Sequence, residues 1–384
     1  MRNQIMHKIR RIQIETKEAE LDAKVKEIDR FTDTTKVYQA LNHLYQKPFQ
    51  NPIVHDSDGK TISNAQEIYE TIHKHFEAHF TDEKVNKIEP FIGPPKPLNN
   101  PISCEEVSDA VRKLNNNKSA GNDSISAEMI KYGPPELHNQ IAPTINNIFE
   151  KHEDLHLGEG ILVALQKPGK TKGPVKNLRP VILLPIIRKI VSNIVLNRIQ
   201  PKVDQYLSKS QAAYKRGRST SDIVFAHKWL LARVQKYEEE IRVTGIDMTA
   251  AFDTIIRQEL LDITNEFLDE DENRLIRILL SNTKLTIKSN KVEARQFESN
   301  IGSPQGDGLS GTLFNIHFKA ALRKLRLELD RNDIIDEHSY VKRPVSQIMP
   351  DEAIYADDYD QISTSVERST KFANKSKAFY QRKI

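Results

Sequence analysis

A single cysteine, Cys104, occurs in 384 residues. That excludes an internal disulfide and any cysteine-rich zinc module, and it fits a reducing compartment. Long apolar runs are missing too. The longest, residues 181–187, contains Pro185 and is far too short to span a bilayer. The opening Met1-Arg2-Asn3-Gln4 has no apolar core of a secretory signal. Acidic residues are nearly absent from one region. Residues 161–220 hold 13 Lys/Arg against one carboxylate, Asp204, a net of +12. The whole chain carries +4, so the other 324 residues sum to 4 − 12 = −8. Charge segregated in this way points to a polyanionic partner, nucleic acid before others. The apolar share, 38%, is lean but sufficient for a sizeable core.

The chain divides by composition. Residues 1–47 are charged and contain neither Gly nor Pro. Leu21, Val25 and Ile28 give one short apolar stripe, which predicts a helix laid on the main body. A second amphipathic helix is expected over 68–80. Pro90, Pro94, Pro95, Pro97 and Pro101 then fall within twelve residues, a density that excludes helix and sheet and marks a linker. The main domain is placed after it, giving 1–101 as a helical extension with linker and 102–384 as the body. Ser103 with Glu106 has capping-box spacing. Strands are expected over 161–165, 242–246 and 285–287, and helices over 187–195 and 221–237. The mixture reads as α+β without internal repeats.

Three segments carry the chemistry. In Tyr355-Ala356-Asp357-Asp358 two adjacent carboxylates sit in a tight turn between short apolar strands. Neighbouring carboxylates repel unless a cation lies beside them, although Asp-Asp is also ordinary turn chemistry. Asp247 ends the strand 242–246 within Gly245-Ile246-Asp247-Met248-Thr249-Ala250-Ala251-Phe252-Asp253. Brought beside the turn, it would complete a three-Asp cluster able to hold two metal ions about 3.5–4 Å apart, as in phosphoryl transfer. Asp253 is expected to cap the next helix. The third segment, residues 302–311, holds four of the chain's 14 glycines around Gln305. It reads as a structured loop leading into a helix near Leu313.

These segments, in this order, resemble motifs A, B and C of reverse transcriptases. Lys167-Pro168-Gly169-Lys170, Asn177-Leu178-Arg179-Pro180 and Ser210-Gln211-Ala212-Ala213-Tyr214-Lys215-Arg216-Gly217-Arg218 resemble the fingers-region motifs of the non-LTR (LINE-type) retrotransposon polymerases. Residues 117–123 are similar to the segment that precedes them. The resemblance covers roughly residues 105–365. Gly311 stands where proline is common in that family.

The resemblance implies a right-hand polymerase with fingers and palm, preceded by the helical extension. It implies attack of a primer 3′-hydroxyl on a deoxynucleoside triphosphate, templated by RNA. Asp247, Asp357 and Asp358 would be the catalytic metal ligands. Phe252 would exclude a ribose 2′-hydroxyl, and Gln305 would line the nucleotide pocket. Arg179 would hold the triphosphate; Lys167 would join it or make a general backbone contact. Lys215, Arg216 and Arg218 would bind nucleic acid. An all-oxygen site takes Mg²⁺, with Mn²⁺ as a substitute. The implied partners are an RNA template, a DNA primer and dNTP, with no membrane. The implied setting is intracellular, in the nucleus or cytoplasm. Only 26 residues follow Asp358, so the thumb is expected to be missing and extension weak. A group II intron-type enzyme and a non-catalytic nucleic-acid-binding remnant are the competing readings.

Overall fold

The computed structural model describes residues 22, 23, 26, 52–56, 58–238, 240–246, 248, 251–289, 292–304, 306–330, 352–363 and 366–383. The chain falls into two units, residues 1–51 and Pro52–Ile384. In the first, only Asp22, Ala23 and Lys26 are described, helical and exposed. The stripe Leu21, Val25 and Ile28 lies outside the described residues. The second unit carries both sheets and the site.

Its elements run α1 (Ala65–Phe80), α2 (Cys104–Arg112), α3 (Ala127–Lys131), α4 (Pro135–Lys151), β1 (Glu159–Gln166), β2 (Leu178–Leu183), α5 (Ile186–Tyr206) and α6 (Thr220–Tyr237). They continue with β3 (Arg242–Ile246), α7 (Arg257–Thr264), α8 (Glu270–Leu280), β4 (Lys284–Ile287) and β5 (Gln296–Glu298). The last are α9 (Ser310–Asp330), β6 (Glu352–Tyr355), β7 (Asp358–Ser363) and α10 (Val366–Lys383). None of the described helices is long and apolar enough to cross a membrane.

Two sheets organise these elements. The first has strand order β2-β1-β4-β5, with β1 and β4 parallel and the outer pairs antiparallel. Gly160, Leu162 and Ala164 alternate onto one face of β1, as period 2 requires. Against that face lies α1, whose Tyr69, Ile72, Phe76 and Phe80 form a helical stripe. Burying each such side chain contributes about 1.5–3 kcal/mol, so α1 belongs to this sheet. The unit therefore begins at Pro52, and not after Pro101 as the proline-rich segment led us to expect. That segment runs over the body as an irregular strap, with Leu98 and Ile102 buried.

The second sheet is the antiparallel set β3-β7-β6. The larger apolar core joins it to α2, α4, α5, α7, α8 and α9. Helix starts obey local chemistry. Ser103 and Glu106 close the expected capping box on α2, with bonds of 3.2 and 3.0 Å; Ser219 with Asp222 and Asp269 with Glu272 do the same for α6 and α8. Asp253 does not cap. α7 begins four residues later, at Arg257, and its N-cap is Ile256, without a side-chain bond.

Candidate active site

The acidic turn is a two-residue link, since Tyr355 and Asp358 are the last paired residues of β6 and β7. Ala356 adopts the left-handed region, φ +56°, which a side-chain-bearing residue occupies at a cost. Its surroundings over-determine it. Gln211, 3% exposed, accepts the Ala356 N–H (3.2 Å) and the Ala213 N–H (2.9 Å) on one oxygen, Oε1. The same segment is stitched to β6: Ala212 N–H donates to the Ile354 carbonyl (3.0 Å), and Ile354 N–H to that of Ser210 (3.2 Å). The turn that presents Asp357 and Asp358 is thus held from 145 residues away. The Gln211 motif stands out in the sequence; its role as a clamp does not.

Ile246 pairs with Tyr359, so β3 ends beside Asp358. Asp247, the next residue, lies outside the described residues, as does Gln305. Among the described residues, no three potential ligands cluster. Asp357 is half-buried and Asp358 exposed.

A cleft of about 980 Å³ opens between the sheets. Lys167, Arg179, Phe252 and Asp357, expected from sequence to share a site, all line it, with Lys176, Tyr214, Gly306, Gly308 and Gly311. Lys215, Arg216, Arg218 and Asp358 do not line it. His75, His79 and Asp253 were not expected there, yet they line it as well. Spaced four apart on α1, the two histidines share one face, but nothing local says that the face meets this cleft. His79 Nε2 stands 3.0 Å from Asp253 Oδ2. Burial, then His79 and Lys167, pull His75 below the ordinary imidazole range. Burial pushes the Tyr214 phenol up, and Asp357 and Tyr355 push it further against the pull of Arg179.

Internal bonds shape the glycine-rich segment. Asp307 is buried and accepts at Oδ2 from Arg188 Nε (3.0 Å) and Ser192 Oγ (2.9 Å), which anchors the loop to α5. Gly306, φ +126°, lies so close to β2 that a Cβ would sit 2.4 Å from the Ile182 carbonyl oxygen. Glycine at this position thus lets the loop backbone approach the β2 backbone closely. Phe252 stacks on Phe314 at 4.5 Å and meets Tyr214 edge-on at 6.0 Å, while its carbonyl accepts Ser303 N–H (2.9 Å).

Gly311 leaves room for the Tyr214 ring, because a Cβ there would lie 2.3 Å from Tyr214 Cδ1. That accounts for glycine at this position. Gly311→Ala should destabilise the fold by about 1–3 kcal/mol through overpacking. Adding Tyr214→Ala should recover most of the loss. Additive losses in urea midpoints across that double-mutant cycle would show that the two residues do not press on each other.

The basic stretch is not one continuous face. Arg188 is spent on Asp307, Arg198 on Glu106 (2.6 Å) and Lys202 on Asp269 and Glu272 (2.6 and 2.7 Å). Arg218 pairs with Asp222 at 3.2 Å. Lys167, Lys176 and Arg179 remain at the cleft, with Lys215 and Arg216 outside it.

Residues 165–381 match the reverse transcriptase (RNA-dependent DNA polymerase) family model. The chain is 26% identical over 234 residues to the transposon TX1 uncharacterized 149 kDa protein of Xenopus laevis, covering 60% of this chain and 18% of that one. It is 21% identical over 299 residues to the probable RNA-directed DNA polymerase from transposon BS of Drosophila melanogaster, covering 73% and 32%. It is 24% identical over 223 residues to the RNA-directed DNA polymerase from mobile element jockey of Drosophila funebris, covering 56% and 24%. The chain thus spans a third or less of the length of these relatives. Among solved structures, an apo telomerase from Candida tropicalis truncated from its C-terminal domain overlaps 58% of this chain and 47% of its own, at TM-score 0.41 and 12% identity. The family match takes in more than half of the chain and every segment that lines the cleft except α1, and the chain belongs to the reverse transcriptase family.

Proposed function

We propose that this chain synthesises DNA on an RNA template, as the polymerase portion of a LINE-type retrotransposon protein. The observation that carries this is the opposition, within one cleft, of Asp357 on the acidic hairpin to Lys167 and Arg179 on the first sheet. A nucleoside triphosphate is anionic along one flank and needs its reacting phosphate beside carboxylate-bound cations; the cleft offers both. In this reading the first sheet with α1 is the fingers, and the β3-β7-β6 sheet with α9 and α10 is the palm.

Arg179 grips the triphosphate with two parallel donors, and Lys167 adds a point charge. The primer 3′-hydroxyl attacks the α-phosphate, and pyrophosphate leaves along the basic flank. The oxygen donors of Asp357 and Asp358, joined by Asp247, fit Mg²⁺ or Mn²⁺ and disfavour zinc. When bound, the ion would supply charge stabilisation at the transferring phosphate. The acidic hairpin holds the ligands in place, since Gln211 fixes the backbone between the two strands.

Primer extension on an RNA template tests the proposal. Template-dependent, dNTP-dependent elongation is expected from purified protein. RNA retention in a gel shift with no elongation would instead establish the binding-remnant reading.

Phe252→Ala should raise ribonucleotide incorporation relative to deoxyribonucleotide, because the ring stands between Phe314 and Tyr214 at the cleft wall. An unchanged ratio of kcat/KM values for the two sugars would make Phe252 a core residue only. The nucleic-acid contacts are assigned to Lys215, Arg216 and Arg218. Neutralising all three should weaken RNA binding and flatten its salt dependence, by roughly 0.7 in log–log slope for each phosphate no longer neutralised. Arg218 should contribute least, since Asp222 already offsets its charge. A slope that stays put would mark these charges as a solvated face.

A further inference from the structure

Two imidazoles stand in the cleft from a helix that the family match does not reach. The rings of His75 and His79 stack with centroids 6.0 Å apart and planes 18° from parallel. His79 has a partner in Asp253, whose side chain is 5% exposed and whose chain neighbour is Phe252. Among the described residues His75 makes no hydrogen bond or ion pair; its only contacts of note are the rings of Phe76 and His79. A half-buried imidazole that opens on a cleft with no partner of its own is poised to meet a ligand.

We propose that His75 and His79 form a proton-linked subsite for the triphosphate of the incoming nucleotide, with His75 the group that takes up the proton. The proposal rests on the polymerase reading and adds α1 to the substrate-binding surface.

The charges around the rings decide the direction. Lys167 and Lys176 reach the cleft from the connection between β1 and β2, and Arg179 from β2. Asp253 is engaged with His79, and Asp307 with Arg188. Asp357 and the Tyr214 phenol stand on the same cleft wall as Phe252. On α1 itself Glu77 pairs with His73 at 3.5 Å and Glu70 with Arg295, and on β5 Glu298 pairs with Lys87. No described carboxylate is thus paired with His75, while a second imidazole and a lysine face it. Burial and those two neighbours lower the His75 pKa and so favour its neutral form in the free protein. A bound triphosphate reverses the sign of the local field. His75 then takes a proton from solvent and donates N–H to phosphate oxygen, and His79, braced by Asp253, presents the neighbouring ring.

The test is calorimetric titration of the protein with inorganic tripolyphosphate, in pairs of buffers with different ionisation enthalpies, between pH 6 and 8. The ligand's own protonation is common to every protein compared, so differences belong to the imidazoles. The wild-type protein should take up more protons on binding than His75→Gln. Its affinity should fall with rising pH more steeply than the variant's, by up to about tenfold per pH unit between the free and bound pKa values. His79→Gln should weaken binding and retain part of the uptake. Equal proton uptake in the wild type and His75→Gln overturns the proposal, as does binding by the His75→Gln/His79→Gln variant with wild-type affinity and pH dependence. Absence of a pH-dependent affinity in the wild type overturns it without reference to any variant. Primer extension on the same preparations separates the two claims. Differential proton uptake without extension defeats the polymerase reading and keeps the anion subsite; extension without differential uptake does the reverse.

Discussion

Replacing Arg257 with methionine should destabilise the folded chain by about 3 kcal/mol or more, a lower bound set by the acceptors it abandons. Arg257 is 3% exposed, and among the described residues no carboxylate pairs with it. Its guanidinium donates to the carbonyls of Gly302, Leu280, Ser299 and Ile301, each at 2.8 Å, and to Thr283 Oγ1 and Ser299 Oγ at 3.0 and 2.8 Å. Burial and the charge of Arg188 push its pKa down to about 9, still well above neutrality, so it remains charged. Methionine fills similar volume and removes the desolvation cost of that charge. It takes the guanidinium donors from the carbonyls of Ser299 and Gly302, at about 1–3 kcal/mol each where water does not reach them, while Ile301 keeps the Ser299 hydroxyl as a donor at 3.1 Å. The second cost exceeds the first because one guanidinium serves so many acceptors. Lysine should recover only a part, since an ammonium cannot span the same fork. Urea midpoints measure this, and a shift worth less than about 0.5 kcal/mol, the range of ordinary surface substitutions, would show that water replaces the guanidinium. The same residues lead into Gly306 and Asp307, so any folded variant should also bind dNTP more weakly.

Local signals carried much of the fold into view. β3 is legible because Arg242 to Ile246 run into a polar break, and α2 because Ser103 and Glu106 satisfy each other three residues apart. The hairpin around Asp357 is legible from two short apolar strands with an acidic tip. The hidden features depend on residues far apart in the chain. Gln211 and Ala356 are 145 residues apart, His79 and Asp253 174, Arg188 and Asp307 119. Such pairs leave no periodicity. Asp253 shows the resulting error: an aspartate just before a helix reads as a cap, but α7 starts too late and a distant histidine claims the carboxylate. The surplus of positive charge misleads in the same way. Arg188, Arg198 and Lys202 have acidic partners outside residues 161–220, which a windowed sum does not count. The proline-rich strap misleads for another reason, because proline excludes helix and strand without excluding packing. Leu98 and Ile102 are buried despite it.

The carboxylates of the hairpin bear the largest expected loss of activity. Asp357→Asn and Asp358→Asn should each reduce single-turnover extension by at least about 10²–10³-fold, the size of effect seen when one preorganised group acting on transition-state charge is removed. Asp247→Asn should do the same. Asparagine keeps the size and the turn propensity of aspartate, and the backbone at Ala356 is secured by Gln211, so the hairpin should survive. The β6–β7 pairing and the packing of Tyr359 against Phe318 and Phe372 do not involve the substituted atoms. Thermal midpoints and RNA retention should therefore stay near wild type while extension is lost. That combination distinguishes removal of a transition-state interaction from damage to the fold. Asp357 lines the cleft and Asp358 starts β7 on the exposed side, so unequal effects are expected, with Asp357 the more severe. Extension at wild-type rates by either hairpin variant would remove that residue from the ligand set. Loss of RNA binding together with extension would reassign the hairpin to holding the template, because a metal-ligand role predicts the loss of chemistry alone.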